Sequence, residues 1–165
     1  MSVELRLPEP FELRGANFES TRLSLADLDD IYALEVRSHA YPWTRDNLRS
    51  SIESHTCIGL RYGNRWAAHA ILSFAAGEAE LLLFVIDKDW QGKGLGCQFL
   101  QRLVQAAKAK AQTIFLEVRA SNDAAVALYE KIGFHQVRVP PGYYPAGSRR
   151  EDALVHALDL AFWDV

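Results

Sequence analysis

Apolar and polar positions change period several times along this chain, and each change marks an element. From Glu80 to Ile86 the residues read Glu-Leu-Leu-Leu-Phe-Val-Ile, an apolar run of strand length with polar flanks. After Asp87-Lys88-Asp89-Trp90 come three glycines in five residues, Gly92, Gly94 and Gly96. Then Leu95, Phe99, Leu100, Leu103, Val104 and Ala107 recur as one face of a helix.

The same reasoning covers the rest. Residues 1–17 carry Pro8 and Pro10 and show no clear period, with a short strand predicted over 11–14. A strand is predicted over 18–23. Asp27 then caps a helix with Leu28, Ile31, Leu34 and Glu35 in register, which His39-Ala40-Tyr41-Pro42-Trp43 breaks. Thr44 opens a second helix, with Asp46 in its first turn, ending near Ser54. Strands over 56–61 and 66–74 meet at the turn dipeptide Gly63-Asn64. Beyond the long helix, 113–119 reads as a strand. Asn122 caps a helix over 123–132 that Gly133 stops. Two closing strands are predicted over 134–139 and 152–160. Between them lies a loop, 140–150, rich in Pro, Gly and Tyr. This order predicts an α+β fold: a mixed, mostly antiparallel central sheet flanked by helices.

Composition adds bounds. At 165 residues the chain predicts one domain with a full core, and 49% hydrophobic with 24% charged residues is ordinary for a globular protein. The net charge of −3, without a Lys/Arg block, argues against direct nucleic-acid binding. The apolar runs are too short for a membrane span, and residues 1–10 lack the apolar core of a signal peptide, so a cytoplasmic location is expected. Cys57 and Cys97 lack CxxC spacing, and His39, His55, His69, His135 and His156 share no ligand spacing, so no metal is expected.

A glycine-rich turn feeding a helix presents backbone N–H groups and the positive end of the helix dipole, which suits a phosphate. The loop is neither a Walker loop nor the dinucleotide G-x-G-x-x-G. It reads Gln-x-x-Gly-x-Gly from Gln91 to Gly96, and this resembles the pyrophosphate loop of the GNAT-type N-acetyltransferases. On these residues alone, a glycine turn that binds nothing is an equal alternative.

Two further residues carry candidate chemistry. Ile114, Leu116 and Val118 point one way along their strand, while Phe115, Glu117 and Arg119 point the other. A carboxylate in a partly apolar cleft can act as a base near neutral pH. The plain alternative is a solvent-facing Glu117 paired with Arg119 or a lysine. Tyr129 lies among Ala125, Leu128 and Ile132. A phenol can protonate a departing thiolate of similar basicity, or it can be a core tyrosine with its hydroxyl at the rim. Cys97, in the first turn after the loop, reads either as a dipole-activated thiol or as a small buried residue.

The resemblance extends over about residues 20–160. His39-Ala-Tyr-Pro-Trp43, Leu116-Glu-Val-Arg-Ala-Ser-Asn122, Ala127-Leu-Tyr-Glu130, Gly133-Phe134, Tyr143-Tyr-Pro145 and Arg150-Glu-Asp-Ala153 are similar to one branch of that superfamily. That branch comprises the bacterial ribosomal-protein-alanine N-acetyltransferases, which modify the N-terminal alanine of a small-subunit ribosomal protein. The resemblance implies a single GNAT-type domain over 18–165 after an N-terminal extension, 1–17. It implies acetyl-coenzyme A as cosubstrate, with no metal, and the N-terminal segment of a ribosomal protein as partner. Glu117 would be the general base, acting on the α-amino group directly or through a water, and Tyr129 the general acid for the thiolate. Phe84, Val85 and Ile86 would pair with the pantetheine arm. Gln91, Gly92, Lys93, Gly94, Leu95, Gly96 and Cys97 would form the pyrophosphate loop, and Asn122 would touch the cofactor.

Two positions depart from that branch: Gly92, where many relatives carry Arg, and Cys97, where many carry a larger residue. Other readings stay open at this point. One is transfer to another protein N-terminus, a lysine or a small amine; the other is a non-catalytic acetyl-coenzyme A-binding module. Tyr143, Tyr144, Arg150 and Glu151 bear on the first, since their loop can close over a peptide.

Overall fold

A computed structural model describes residues 3–164. The chain starts with a hairpin, β1 (Phe11–Leu13) and β2 (Ala16–Arg22), followed by two helices, α1 (Leu28–Ser38) and α2 (Arg45–Ser54). Three strands follow: β3 (Thr56–Tyr62), β4 (Arg65–Ala75) and β5 (Glu78–Ile86). Then come α3 (Leu95–Ala107), β6 (Thr113–Arg119), α4 (Asp123–Ile132) and β7 (His135–Arg138). A small hairpin, β8 (Tyr144–Ala146) and β9 (Arg149–Glu151), precedes the last strand, β10 (Ala153–Asp159).

Eight strands form one sheet in the order β1-β2-β3-β4-β5-β6-β10-β7, and β8 pairs only with β9. Among the described residues, only β5 and β6 of the large sheet run parallel. That pair needs a crossover, and α3 supplies it.

The sheet separates two apolar clusters. On one face α3 inserts Leu95, Phe99, Leu100, Leu103, Val104 and Ala107, all fully buried, against Ala79, Leu81, Ile114 and Leu116. The amphipathic spacing of α3 thus becomes the main core, at roughly 1.5–3 kcal/mol for each large side chain. Phe99→Ala should cost this core roughly 3–5 kcal/mol. On the other face, Leu28, Ile31 and Leu34 of α1 and Leu48 and Ile52 of α2 pack on Ile71, Leu83 and Val85. Thr44 caps α2 by accepting the Asn47 N–H at 3.1 Å. Buried Glu35 ties down the turn between the two helices by accepting the Trp43 N–H at 2.7 Å.

Residues before position 18 join the main core rather than standing apart. Leu5, Leu7, Phe11 and Ala16 are buried in it. The Val3 N–H donates to Thr56 Oγ1 at 2.9 Å, and that hydroxyl donates to the Val3 carbonyl at 2.8 Å.

Three local expectations need correction. The segment 140–150, expected as a loop, contains β8 and the start of β9. Before α1 a short 3-10 turn, Leu25–Asp27, intervenes, capped by Ser24, whose N–H donates to Asp27 Oδ2 at 2.9 Å. The first long strand is Ala16–Arg22, because Leu13 and Ala16 close a tight hairpin. Among the described residues no helix is long and apolar enough to cross a membrane.

Candidate active site

The site begins where β5 and β6 part. Their parallel register runs from Glu78↔Thr113 to Leu81↔Leu116. At that point the β4–β5 ladder shifts: Leu72 faces Leu81 and Ile71 faces Leu83, so Leu82 is an extra residue. A bulge of this kind bends and twists its strand. Beyond it Leu83–Ile86 stay paired with β4 on one side only. Their other edge turns toward a gap, across which Glu117–Arg119 continue in the ladder with β10. Backbone N–H and C=O groups on such an edge can pair with an extended ligand.

Phe84 and Ile86 line the α3 side of this gap as partly buried members of the main core, and Val85 is buried on the opposite face. The edge ends where the Gln91 side-chain amide donates to the Ile86 carbonyl at 3.0 Å.

Next comes the glycine loop. Gly92 and Gly94 have φ of 74° and 89°, which other residues adopt only with strain. A Cβ on Gly92 would meet nothing within 4 Å, so conformation, not space, demands glycine there. Gly94 is the N-cap of α3 and provides no capping side chain, so the helix's first N–H groups look outward. Gln91–Gly94 are exposed, Leu95 is fully buried, and Gly96 and Cys97 are half-buried, so Leu95 anchors a loop whose backbone faces solvent. A Cβ on Gly96 would sit 3.4 Å from Leu128 of α4, a close helix–helix approach. This is a backbone-donor cradle for an anion.

Glu117 lies on the β6 face away from α3, half-buried, and lines a cavity of about 400 Å³ with Ser73, Glu80, Phe115, Arg138 and Val155. The groups around it feel its charge. Tyr143 has its phenol pKa raised, first by a hydrogen bond to the Glu117 carboxylate and then by that charge. Burial pushes Tyr144 up to about 12, with Glu117 next. Glu80 is raised by burial first and by Glu117 second.

Tyr129 sits across the gap on α4. It is 7% exposed, its ring edge-on to Phe84 and Phe134 at 6.5 and 5.9 Å. Burial, and then Tyr144, raises its pKa well above the ordinary phenol value, so it holds its proton throughout the neutral range. Tyr144 thus interacts electrostatically with both Glu117 and Tyr129. Asn122 caps α4 by accepting the Ala125 N–H at 3.2 Å.

Arg119 fastens the β8–β9 hairpin over this region. Its Nη1 donates to the Pro145 carbonyl at 2.7 Å and to Glu151 Oε1 at 2.9 Å. Its guanidinium stacks 3.8 Å from the Tyr41 ring centre and 4.6 Å from that of Tyr144. Ser121 first and Arg119 next hold the Glu151 carboxyl below its usual range.

Glu117 and Tyr129 are therefore brought to opposite sides of one gap, with Phe84–Ile86 along its edge and Gln91–Cys97 at its end. The plain alternative of a Glu117–Arg119 pair is not what forms, because Arg119 is committed to Glu151 and Pro145. Sequence reasoning missed Glu80 as a neighbour of Glu117 and missed the role of Arg119. The first had a signal, since Glu80 lies at a strand position whose neighbours Ala79 and Leu81 are core. The second had none, because its partners are distant in sequence.

Residues 25–134 match the model of the acetyltransferase (GNAT) family. The chain is 38% identical over 141 residues to the [ribosomal protein bS18]-alanine N-acetyltransferase of Escherichia coli, covering 84% of this chain and 95% of that protein. It is 36% identical to the enzyme of the same name from Haemophilus influenzae, over 85% of this chain and 97% of the other. The crystal structure of the ribosomal-protein-S18-alanine N-acetyltransferase from Escherichia coli superposes with a TM-score of 0.82 at 36% identity, over 87% of this chain and 94% of that one. With a family match over two thirds of its length and relatives of this closeness over nearly their whole length, the chain belongs to the acetyltransferase (GNAT) family.

Proposed function

We propose that this protein transfers the acetyl group of acetyl-coenzyme A to the N-terminal α-amino group of a protein, and that its substrate is the N-terminal alanine of ribosomal protein bS18. One observation carries the chemistry: the gap between β5 and β6, with Glu117 on one side and Tyr129 on the other. The choice of substrate draws on the relatives' names. The reading implies a cytoplasmic enzyme that meets a ribosomal protein's N-terminal segment.

The residues present fit the cosubstrate. The outward N–H groups at the start of α3, with the open backbone at Gly92 and Gly94, suit its diphosphate. The bare edge of Leu83–Ile86 suits its amide-containing arm. Acetyl-coenzyme A supplies an activated thioester. Glu117 takes the proton from the attacking amine, whose own pKa near 8 makes this a modest task. The new bond joins the amine nitrogen to the acetyl carbon, and the carbon–sulfur bond breaks. Backbone N–H groups of β5 stabilise the negative charge that develops on the acetyl oxygen. Tyr129 gives its proton to the departing thiolate; the burial that raises the phenol's pKa would raise the basicity of a thiolate held beside it as well, which keeps the two matched. Glu80 beside Glu117 makes the acceptor cavity acidic, which favours an ammonium-bearing chain end.

The test is direct. Incubate the protein with acetyl-coenzyme A and peptides beginning Ala-Arg, Met-Lys or Ser, plus an N-terminally blocked peptide with an internal lysine. Read the modified amine by mass spectrometry. The proposal expects N-terminal acetylation of the Ala-Arg peptide. Modification of the lysine alone would contradict it.

A further inference from the structure

We propose that Arg14, at the tip of the β1–β2 hairpin, is a cofactor-binding residue whose guanidinium grips the phosphate groups of acetyl-coenzyme A over the Gln91–Gly96 loop. This rests on the reading of that loop as the phosphate site. Leu13 pairs with Ala16, which leaves Arg14 and Gly15 as a two-residue turn with φ of 51° and 79°. Two consecutive positive φ values form a turn class that prefers Asn-Gly or Gly-Gly. A long cationic side chain is strained at that first position, so local backbone preference does not account for Arg14.

Its side-chain placement does. Arg14 Nε donates to the Lys93 carbonyl at 3.1 Å, inside the loop. Its two terminal nitrogens have no hydrogen-bond partner among the described residues. The neighbouring Leu13 touches the loop too, with its Cδ1 at 4.0 Å from where a Gly94 Cβ would stand. The hairpin is firmly based: Phe11 and Phe18 pack at 5.4 Å, and Arg102 stacks on Phe11 at 4.0 Å.

The loop itself lacks a free cation for the task. Gly92 has no side chain. Lys93 Nζ is drawn back to the Asp89 carbonyl at 2.7 Å and lies over the Trp90 ring at 5.5 Å. Arg14 therefore brings from the N-terminal hairpin the charge that the loop does not provide. A guanidinium anchored through Nε still offers its outer N–H groups to phosphate oxygens.

The experiment is calorimetric titration of wild type, Arg14→Gly and Arg14→Lys with acetyl-coenzyme A and with dephospho-coenzyme A, beside thermal melts. Glycine relieves the positive φ, so the Arg14→Gly variant should keep its melting temperature while Kd for acetyl-coenzyme A rises roughly tenfold. Arg14→Lys should recover part of the affinity, and the deficit should shrink in high salt. A deficit that persists with dephospho-coenzyme A assigns Arg14 to the diphosphate, and one that vanishes assigns it to the 3′-phosphate. A folded Arg14→Gly protein with unchanged Kd would overturn the proposal and leave the loop reading intact. Failure of the wild type to bind would overturn the loop reading itself.

Discussion

Replacing Arg119 with alanine removes the fastening between β6 and the β8–β9 hairpin. Arg119 and Glu151 have side chains only 19% exposed, so their pair is less screened than a surface one. The hydrogen bond from charged Arg119 to the Pro145 carbonyl contributes about 1.5 kcal/mol, at the low end of its range. The two aromatic contacts add about 1 kcal/mol together. The docked hairpin then loses roughly one to two powers of ten relative to an undocked one, at about 1.4 kcal/mol for each tenfold step. Global stability should fall much less, because β8 and β9 pair only with each other. A peptide that needs Tyr143 and Tyr144 beside Glu117 must first re-dock the hairpin. The KM for an Ala-Arg peptide should therefore rise at least tenfold, while Kd for acetyl-coenzyme A stays within about twofold. Arg119→Lys keeps the charge but not the planar fork or the stacking, so it should lie between the two. Steady-state kinetics with each substrate varied, beside cofactor titration, separates these effects. An unchanged peptide KM in the folded alanine variant would refute the reasoning, as would equal losses for peptide and cofactor.

Two other outcomes follow from the buried groups. Tyr129→Phe keeps the ring against Phe84 and Phe134, so cofactor affinity should hold while kcat falls by roughly 10²–10⁴; a loss confined to KM would assign Tyr129 to packing instead. His69 is fully buried, and burial pushes its pKa down to about 4, opposed by Glu35. A histidine lowered in the folded state binds its proton first in the unfolded chain. Its contribution is therefore fully present above pH 6.5 and lost as pH falls toward 4, about 3 kcal/mol over that window. Denaturant titrations at pH 7 and pH 4.5 should show a smaller acid loss in His69→Leu than in wild type, and equal losses would contradict this.

Where sequence and structure agree, the signals are local. Thr113–Arg119 shows strict alternation, and Asn122 and Gly133 bracket α4 with a cap and a stop, so both elements have the expected bounds. The loop from Gln91 and the buried face of α3 are equally local. The misses depend on distance. The β8–β9 hairpin contains Pro145, follows Gly142 and turns at Gly147, a composition that reads as loop, and it is held by Arg119 from 26 residues away. The placement of β10 between β6 and β7 leaves no local trace. Nor does the Leu82 bulge, which opens the gap, because Leu81, Leu82 and Leu83 look alike in sequence. The residue types and the family resemblance point to Glu117 and Tyr129. Their meeting across one gap is a property of the fold.

The most direct test of the account is the pH–rate profile of Glu117→Gln against wild type on an Ala-Arg peptide. The amide is nearly isosteric, so the fold should stand. If Glu117 is the base, turnover near pH 7 should fall by roughly 10²–10⁴. The deficit should shrink as pH rises past the substrate's α-amino pKa of about 8, where solvent supplies the free amine. Near-normal turnover of the glutamine variant at neutral pH would contradict the account and leave positioning of the two substrates as the source of rate.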